Sequence, residues 1–139
     1  ELEKENLGKF QAAVRKIEQQ YEEKIREQYL KNLETAFALA EKILDIEINR
    51  NDEAFLGLYK KAAAHIGKTE SVQLKVGPRG YEVSSRNREE LMKCISGLKN
   101  LELEESGEEG TCVIQSPMGE ADASIKTQLN RAREIIQAS

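Results

Sequence analysis

Large apolar residues recur every three or four positions through the first third of the chain, at Leu7, Phe10, Val14, Ile17, Tyr21, Ile25, Tyr29, Leu33 and Phe37. No proline interrupts Leu2 to Asn49, and Gly8 is the one glycine there, so the spacing predicts a single long amphipathic helix. Early steps alternate three and four. From Tyr21 onward every step is four, which lifts the mean to roughly 3.75 and makes the stripe drift across the helix surface. Such drift favours a straight or right-handed pairing. The other face is charged, with Glu5–Lys9, Glu22–Arg26 and Glu27–Lys31 each placing the acid four residues ahead of the base, an order worth about 0.2–0.5 kcal/mol per pair. A narrow apolar stripe on a charged rod needs a second helix against it, and too little chain follows to supply one. The expectation is a coiled-coil stalk over residues 1–34 whose dimer interface is Leu7, Phe10, Val14, Ile17, Tyr21, Ile25 and Leu33.

From Leu33 the apolar face broadens to include Ala36, Phe37, Leu39, Ala40, Ile43, Leu44, Ile46 and Ile48, as expected where a rod enters a packed head. Asn51 or Asp52 can cap a second helix carrying Phe55, Leu56, Tyr59, Ala62, Ala63 and Ile66, with Gly67 as its stop. The period then changes to two. Val72, Leu74 and Val76 alternate with polar neighbours and predict a strand. Gly77-Pro78-Arg79-Gly80 reads as a turn, with Tyr81 and Val83 extending or re-pairing the strand. Asn87-Arg88-Glu89-Glu90 fits a capping box before Leu91, Ile95 and Leu98. Leu101 and Leu103 mark a second strand, Glu105 to Gly110 a hairpin-like acidic loop, and Thr111 to Ile114 a third strand. After a turn at Ser116-Pro117-Met118-Gly119, Asp122 can cap a last helix whose inward face is Ile125, Leu129, Ala132 and Ile136. The fold class is therefore α+β: a long N-terminal coiled-coil helix, then a small head over residues 35–139 with a three- or four-stranded sheet flanked by helices.

Composition narrows the partners. A net charge of -4 with no basic block argues against nucleic acid and anionic membrane. No apolar run approaches the length of a membrane span, and no signal peptide is visible, so a reduced cytoplasmic setting is expected. The chain begins at Glu1 rather than Met and is read as part of something longer.

Little in the sequence points to catalysis. His65 is the single histidine, and metal sites need three or four convergent ligands. Cys112 invites a thiol nucleophile assisted by His65 and Asp122, but a reactive thiol needs a base or positive field, and the neighbouring loop is acidic. Cys94 lies mid-helix. The five acids from Glu102 to Glu109 lack the spacing of a calcium loop and read as solvated surface. Gly77 to Gly80 has no Lys-Ser/Thr ending and cradles no phosphate. No catalytic residue, cofactor or metal is assigned, and the chain is not expected to be an enzyme.

The stretch Gly110-Thr111-Cys112-Val113-Ile114-Gln115-Ser116-Pro117-Met118-Gly119-Glu120-Ala121-Asp122-Ala123-Ser124-Ile125-Lys126-Thr127-Gln128-Leu129 resembles the C-terminal signature of the flagellar assembly protein FliH family and its virulence-secretion relatives, the HrpE/YscL stator proteins. Asp122-Ala123-Ser124 and Gln128-Leu129 match that signature as they stand, and Leu39 to Leu44 and Val72 to Val76 also fit. Gln115 departs from it, standing where the family commonly has an acid. The resemblance implies a cytoplasmic peripheral stalk at the base of the export apparatus. Two copies would pair, and their heads would bind and regulate the N-terminal region of the export ATPase. It also implies that the N-terminal segment docking on the export gate and rotor ring is missing here. On the head, the outer side of the last helix, with Lys126, Gln128, Arg131 and Arg133, is the expected ATPase contact. Two alternatives remain: an E-type stalk subunit of a vacuolar-type rotary ATPase, which would need a different chain as partner for its rod, and, remotely, a thiol-dependent enzyme, which would turn over a substrate alone.

Overall fold

A computed structural model describes residues 2–138. Helix α1 runs from Leu2 to Arg50, followed by α2 (Asp52–Ala63), β1 (Ser71–Val76), α3 (Pro78–Arg86), α4 (Arg88–Lys93), β2 (Asn100–Glu105), β3 (Cys112–Ser116), β4 (Gly119–Asp122) and α5 (Ile125–Ala138). The chain divides into two compact units, a rod up to Ala38 and a head from Leu39 onward. The expected α+β class, with a long N-terminal helix and a small sheet-bearing head, is what forms.

In the rod, the apolar stripe lies in solvent. Leu7, Phe10, Val14, Ile17, Tyr21 and Ile25 are all exposed, Phe10 and Tyr21 by about two-thirds of their surface, and Leu33 is half-buried. Asn51 caps α2 as its sequence suggests, its side-chain oxygen accepting from the Glu53 N–H at 3.0 Å. This helix ends at Ala63, short of Gly67.

The sheet has the order β2-β1-β3-β4. β1 pairs in parallel with β2, Val72 opposite Leu101, and antiparallel with β3, Leu74 opposite Ile114. Val72, Leu74 and Val76 are all buried, which makes β1 an interior strand, while β2 buries Leu101 and leaves Glu102, Glu104 and Glu105 exposed at an edge. One face of the sheet thus packs and the other carries polar side chains such as Gln73, which donates to Glu104. Phe55, Leu56 and Tyr59 of α2, Val83 of α3 and Leu91 of α4 complete the core with Cys112 and Ile114. The Tyr59 hydroxyl, wholly buried, donates to the Leu91 carbonyl at 2.7 Å, so its burial leaves no orphaned donor.

Four elements differ from the sequence expectations. Pro78–Arg86 forms α3, with Gly77 as its N-cap, rather than a turn and a strand extension. Pro78 sits in the first turn of that helix, where its missing N–H costs nothing and its fixed φ favours helix. Its cap comes from a distant place: Glu109 Oε1 accepts from the Arg79 N–H at 2.8 Å, so Glu109 is no solvated loop acid but a half-buried tertiary cap. Asn87 makes no side-chain cap for α4 and instead donates to the Val83 carbonyl, closing α3. The acidic loop is no hairpin. It carries the chain from edge strand β2 past β1 to β3, because the parallel β1–β2 pair, joined through α3 and α4, already occupies that side of β1. Finally, β4 is a strand that the residue pattern did not announce: Gly119–Asp122 pairs antiparallel with β3 across the Pro117-Met118 turn.

Two glycines are needed by these contacts. A side chain at Gly80 would meet Phe55 Cε2 at 2.7 Å, and one at Gly77 would meet the Glu108 carbonyl oxygen at 2.4 Å. The second neighbour is backbone and cannot swing aside. Gly77→Ala should therefore lower head stability by about 1–3 kcal/mol, read as a fall in the urea midpoint without a change in slope; an unchanged midpoint would show that the β2–β3 loop yields freely.

Candidate partner-binding surfaces

The motif that carried the resemblance builds the start of α5. Asp122 Oδ1 accepts from the Ser124 N–H at 2.9 Å and Oδ2 accepts from the Thr127 hydroxyl at 2.8 Å. Those hydrogen bonds hold its carboxyl below the usual carboxylate range, although partial burial alone, the largest single influence, would raise it. Ser124 in turn accepts from the Cys112 N–H at 2.9 Å, and the Gln128 side chain donates to the Ala123 carbonyl. Asp122-Ala123-Ser124 is thus a clamp between β3, β4 and α5, holding a helix in place and presenting no free group for chemistry.

Only the first turn of α5 is fully tied down. Ile125 is buried and Leu129 half-buried, but Ile136 is 39% exposed and Ile135 70%. The inward packing expected of Ile136 is only partial. Fourteen residues of helix span about 21 Å, whereas the four residues of β4 span about 13 Å. Among the described residues of α5, Ile125 is the buried one.

What that leaves is an open groove of about 570 Å³ on the head, between the end of α2, strand β4 and α5. Ala62, Ala121, Ala123, Ala132 and Ile135 give it an apolar floor and wall; Lys61, His65, Glu120, Asp122, Gln128 and Arg131 surround them. Lys61 Nζ donates to Gln128 Oε1 at 3.0 Å, which pins the two helices along one side. The four residues expected to face a partner are split by this geometry. Gln128 and Arg131 line the groove; Lys126 lies outside it, paired with Glu108 of the β2–β3 loop, and Arg133 is half-buried elsewhere on α5. Sequence reading missed Lys61, His65 and Ile135 as groove residues. The signal was there for Ile135, since of the adjacent apolar pair Ile135 and Ile136 one must point away from any single face.

Cys112 is a poor nucleophile. Cys112 is wholly buried, and burial first, with the Asp122 carboxylate second, pushes its thiol up to about 12. The acidic loop to which the sequence pointed is not the cause. His65 is exposed in the turn after α2, and Cys94, expected mid-helix, is the residue that ends α4 and donates to the Glu90 carbonyl of its last turn. Among the described residues no three His, Cys, Asp or Glu side chains converge as a metal site would need, and no helix is long and apolar enough to cross a membrane. Cys112 in the native protein should resist a thiol reagent at pH 8 while Cys94 reacts; rapid modification of both would overturn this. Because the folded value lies above the ordinary 9.0, Cys112 contributes stability that is complete below about pH 9 and is lost as pH rises toward 12. Denaturation midpoints compared with Cys112→Ala across that window measure it.

The comparison with known proteins follows the same residues. The profile of the flagellar assembly protein FliH family matches residues 1–132, rod and head alike. A probable flagellar assembly protein FliH of Bacillus subtilis (strain 168) is 26% identical over 132 residues, which cover 94% of this chain and 63% of that relative. This chain thus spans less than two-thirds of that relative's length. With the match running from the exposed stripe through the Asp122-Ala123-Ser124 clamp and into α5, the chain belongs to the flagellar assembly protein FliH family.

Proposed function

We propose that this chain is a non-catalytic peripheral-stalk subunit of the flagellar type of export apparatus, at its cytoplasmic base, which dimerises through its rod and uses its head to bind and regulate the export ATPase. The observation that carries the reading is the rod's row of large apolar side chains left in solvent. A contiguous exposed apolar stripe marks an interaction surface, and its helical spacing calls for another helix. Stalk residues 1–34 and head residues 35–139 divide the work: the rod spans distance, and the head grips. The proposed interface is Leu7, Phe10, Val14, Ile17, Tyr21, Ile25 and Leu33.

On the head, the groove beside α5 has the form that takes an amphipathic helix: apolar floor, Ile135 on one wall, charged rim. Gln128 and Arg131 contact the ATPase's N-terminal segment there. Lys126 and Arg133, also in the proposed contact set, sit outside the groove and contribute at its periphery. Family membership supports a flagellar assembly role; the ATPase as partner is the finer step. A pull-down with the full chain from the flagellated source cell should recover the export ATPase, and the purified chain should change that ATPase's turnover. Recovery of a vacuolar-type rotary ATPase and a different rod partner instead would favour the E-type stalk reading.

A further inference from the structure

The polar face of the sheet has an order that its own fold does not use. The strand register lines up one residue from every strand across it. Glu102 on β2 stands opposite Gln73 on β1, Gln73 opposite Gln115 on β3, and Gln115 opposite Glu120 on β4. Residues paired in this way point to the same side, with Cβ atoms about 5 Å apart, so the four form a row of acid, amide, amide and acid. Val72, Leu74, Leu101 and Ile114 alternate with them and face the core. Of the four, the groove beside α5 shares Glu120 alone.

Both amides commit their donors within the face. Gln115 Nε2 donates to Glu120 Oε2 at 3.1 Å, and Gln73 Nε2 turns to Glu104 Oε2 at 3.4 Å rather than to Glu102 beside it. An amide engaged through its nitrogen keeps its oxygen as an acceptor. Among the described residues nothing donates to those two oxygens or to the Glu102 carboxylate. They surround an open dish of about 240 Å³, whose lining also includes Ser71, Val72 and Pro117. Charge on this face is one-sided: Glu102, Glu104, Glu120 and Asp122 stand against Lys75, which already pairs with Glu104 at 4.0 Å.

We propose that this row docks an arginine side chain of a protein partner, its guanidinium forking onto the Glu102 carboxylate and donating further to the amide oxygens of Gln73 and Gln115. Arginine holds five N–H donors in one plane, enough for a carboxylate and two amides, whereas a lysine ammonium directs its three from a single point. Pro117 and Val72 offer apolar surface to the methylene stem. The same carboxylates repel nucleic acid and anionic lipid, and a second copy laid face to face would set one acid row against another. This contact goes beyond the ATPase contact proposed above and does not depend on it.

The test follows the side-chain amide resonances of Gln73 and Gln115 in the isotope-labelled full chain as the peptide acetyl-Gly-Arg-Gly-amide is added. Saturable shifts at both amides are expected, and none with the citrulline peptide, which keeps the shape and loses the charge. Glu102→Gln should weaken binding at least about tenfold, the scale of a lost hydrogen bond to a charged group. Gln73→Leu, which leaves every charge in place, should weaken it too. Glu89→Gln removes an equal charge from an exposed position on α4 and should change nothing. Glu102 is exposed and Gln73 half-buried, so both variants should keep the wild-type circular dichroism. No shift at either amide overturns the proposal, as does equal weakening by Glu102→Gln and Glu89→Gln, which would reduce the binding to bulk charge attraction. Shifts with calcium chloride but not with the peptide would give the row to a metal ion. Shifts that grow with protein concentration alone would give it to a second copy, and either result overturns the arginine contact.

Discussion

Replacing Val14 and Ile17 by aspartate in the same chain should convert the protein from a dimer to a monomer of 15.7 kDa, measured by light scattering at micromolar concentration. In the single chain Val14 is 38% and Ile17 65% exposed, so the aspartates reach water and the monomer tolerates them. In a packed seam each copy would lose two large side chains, at about 2–5 kcal/mol per site, and would bury four carboxylates across the pair with no cation opposite them. That exceeds what a stalk of this length can retain. None of the core residues of the head lies near these positions in the chain, so the head should unfold at the wild-type denaturant concentration. A variant that keeps the dimer mass would mean the seam lies elsewhere on α1.

Changing Ile135 to aspartate together with Arg131 to glutamate should abolish measurable ATPase binding, whereas Lys126→Ala should leave it within about threefold. Tight interfaces rest on a few anchors in water-excluding pockets, and Ile135, 70% exposed on the groove wall, is the large aliphatic side chain placed to be one. Arg131 stands beside it on the rim. Loss of an anchor of this kind typically costs at least about 2 kcal/mol, or a factor near 30, and reversal of the neighbouring charge adds to it. Lys126 is exposed and already paired with Glu108; rim charges of that sort alter association rate and salt dependence more than affinity. Isothermal titration against the ATPase's N-terminal segment separates the two outcomes. If the double variant bound like wild type, the groove would not be the grip, and the polar open face of the sheet would be the next candidate.

Much of the fold can be read from residue spacing alone. The helix from Leu2 to Arg50 follows from an unbroken three-four apolar rhythm, and β1 and β2 follow from strict alternation at Val72, Leu74, Val76 and at Leu101, Leu103. Those signals are local, because the backbone period alone decides which side chains share a face. The rod's exposed stripe is equally local: its spacing alone puts those side chains on one helix face.

Tertiary contacts decided the rest. Pro78 to Arg86 became a helix because Glu109, some thirty positions on, supplies the cap that its own sequence lacks. The strand order put β1 between β2 and β3, a matter of which buried faces fit together, and so turned an apparent hairpin into a crossing loop. β4 exists because Gly119 to Asp122 finds β3 beside it; as a bare Gly-Glu-Ala-Asp run it has no strand character. The groove also belongs to this class. Lys61 and His65 lie seventy positions before Arg131 and Ile135, and the groove exists only where α2, β4 and α5 come together. The sequence by itself determined the stalk, the strand-forming segments and the family signature, all of them effects of near neighbours. Where the acidic loop docks, how the strands are ordered and which side of α5 stays open depended on residues meeting across the fold, which spacing along one chain does not encode.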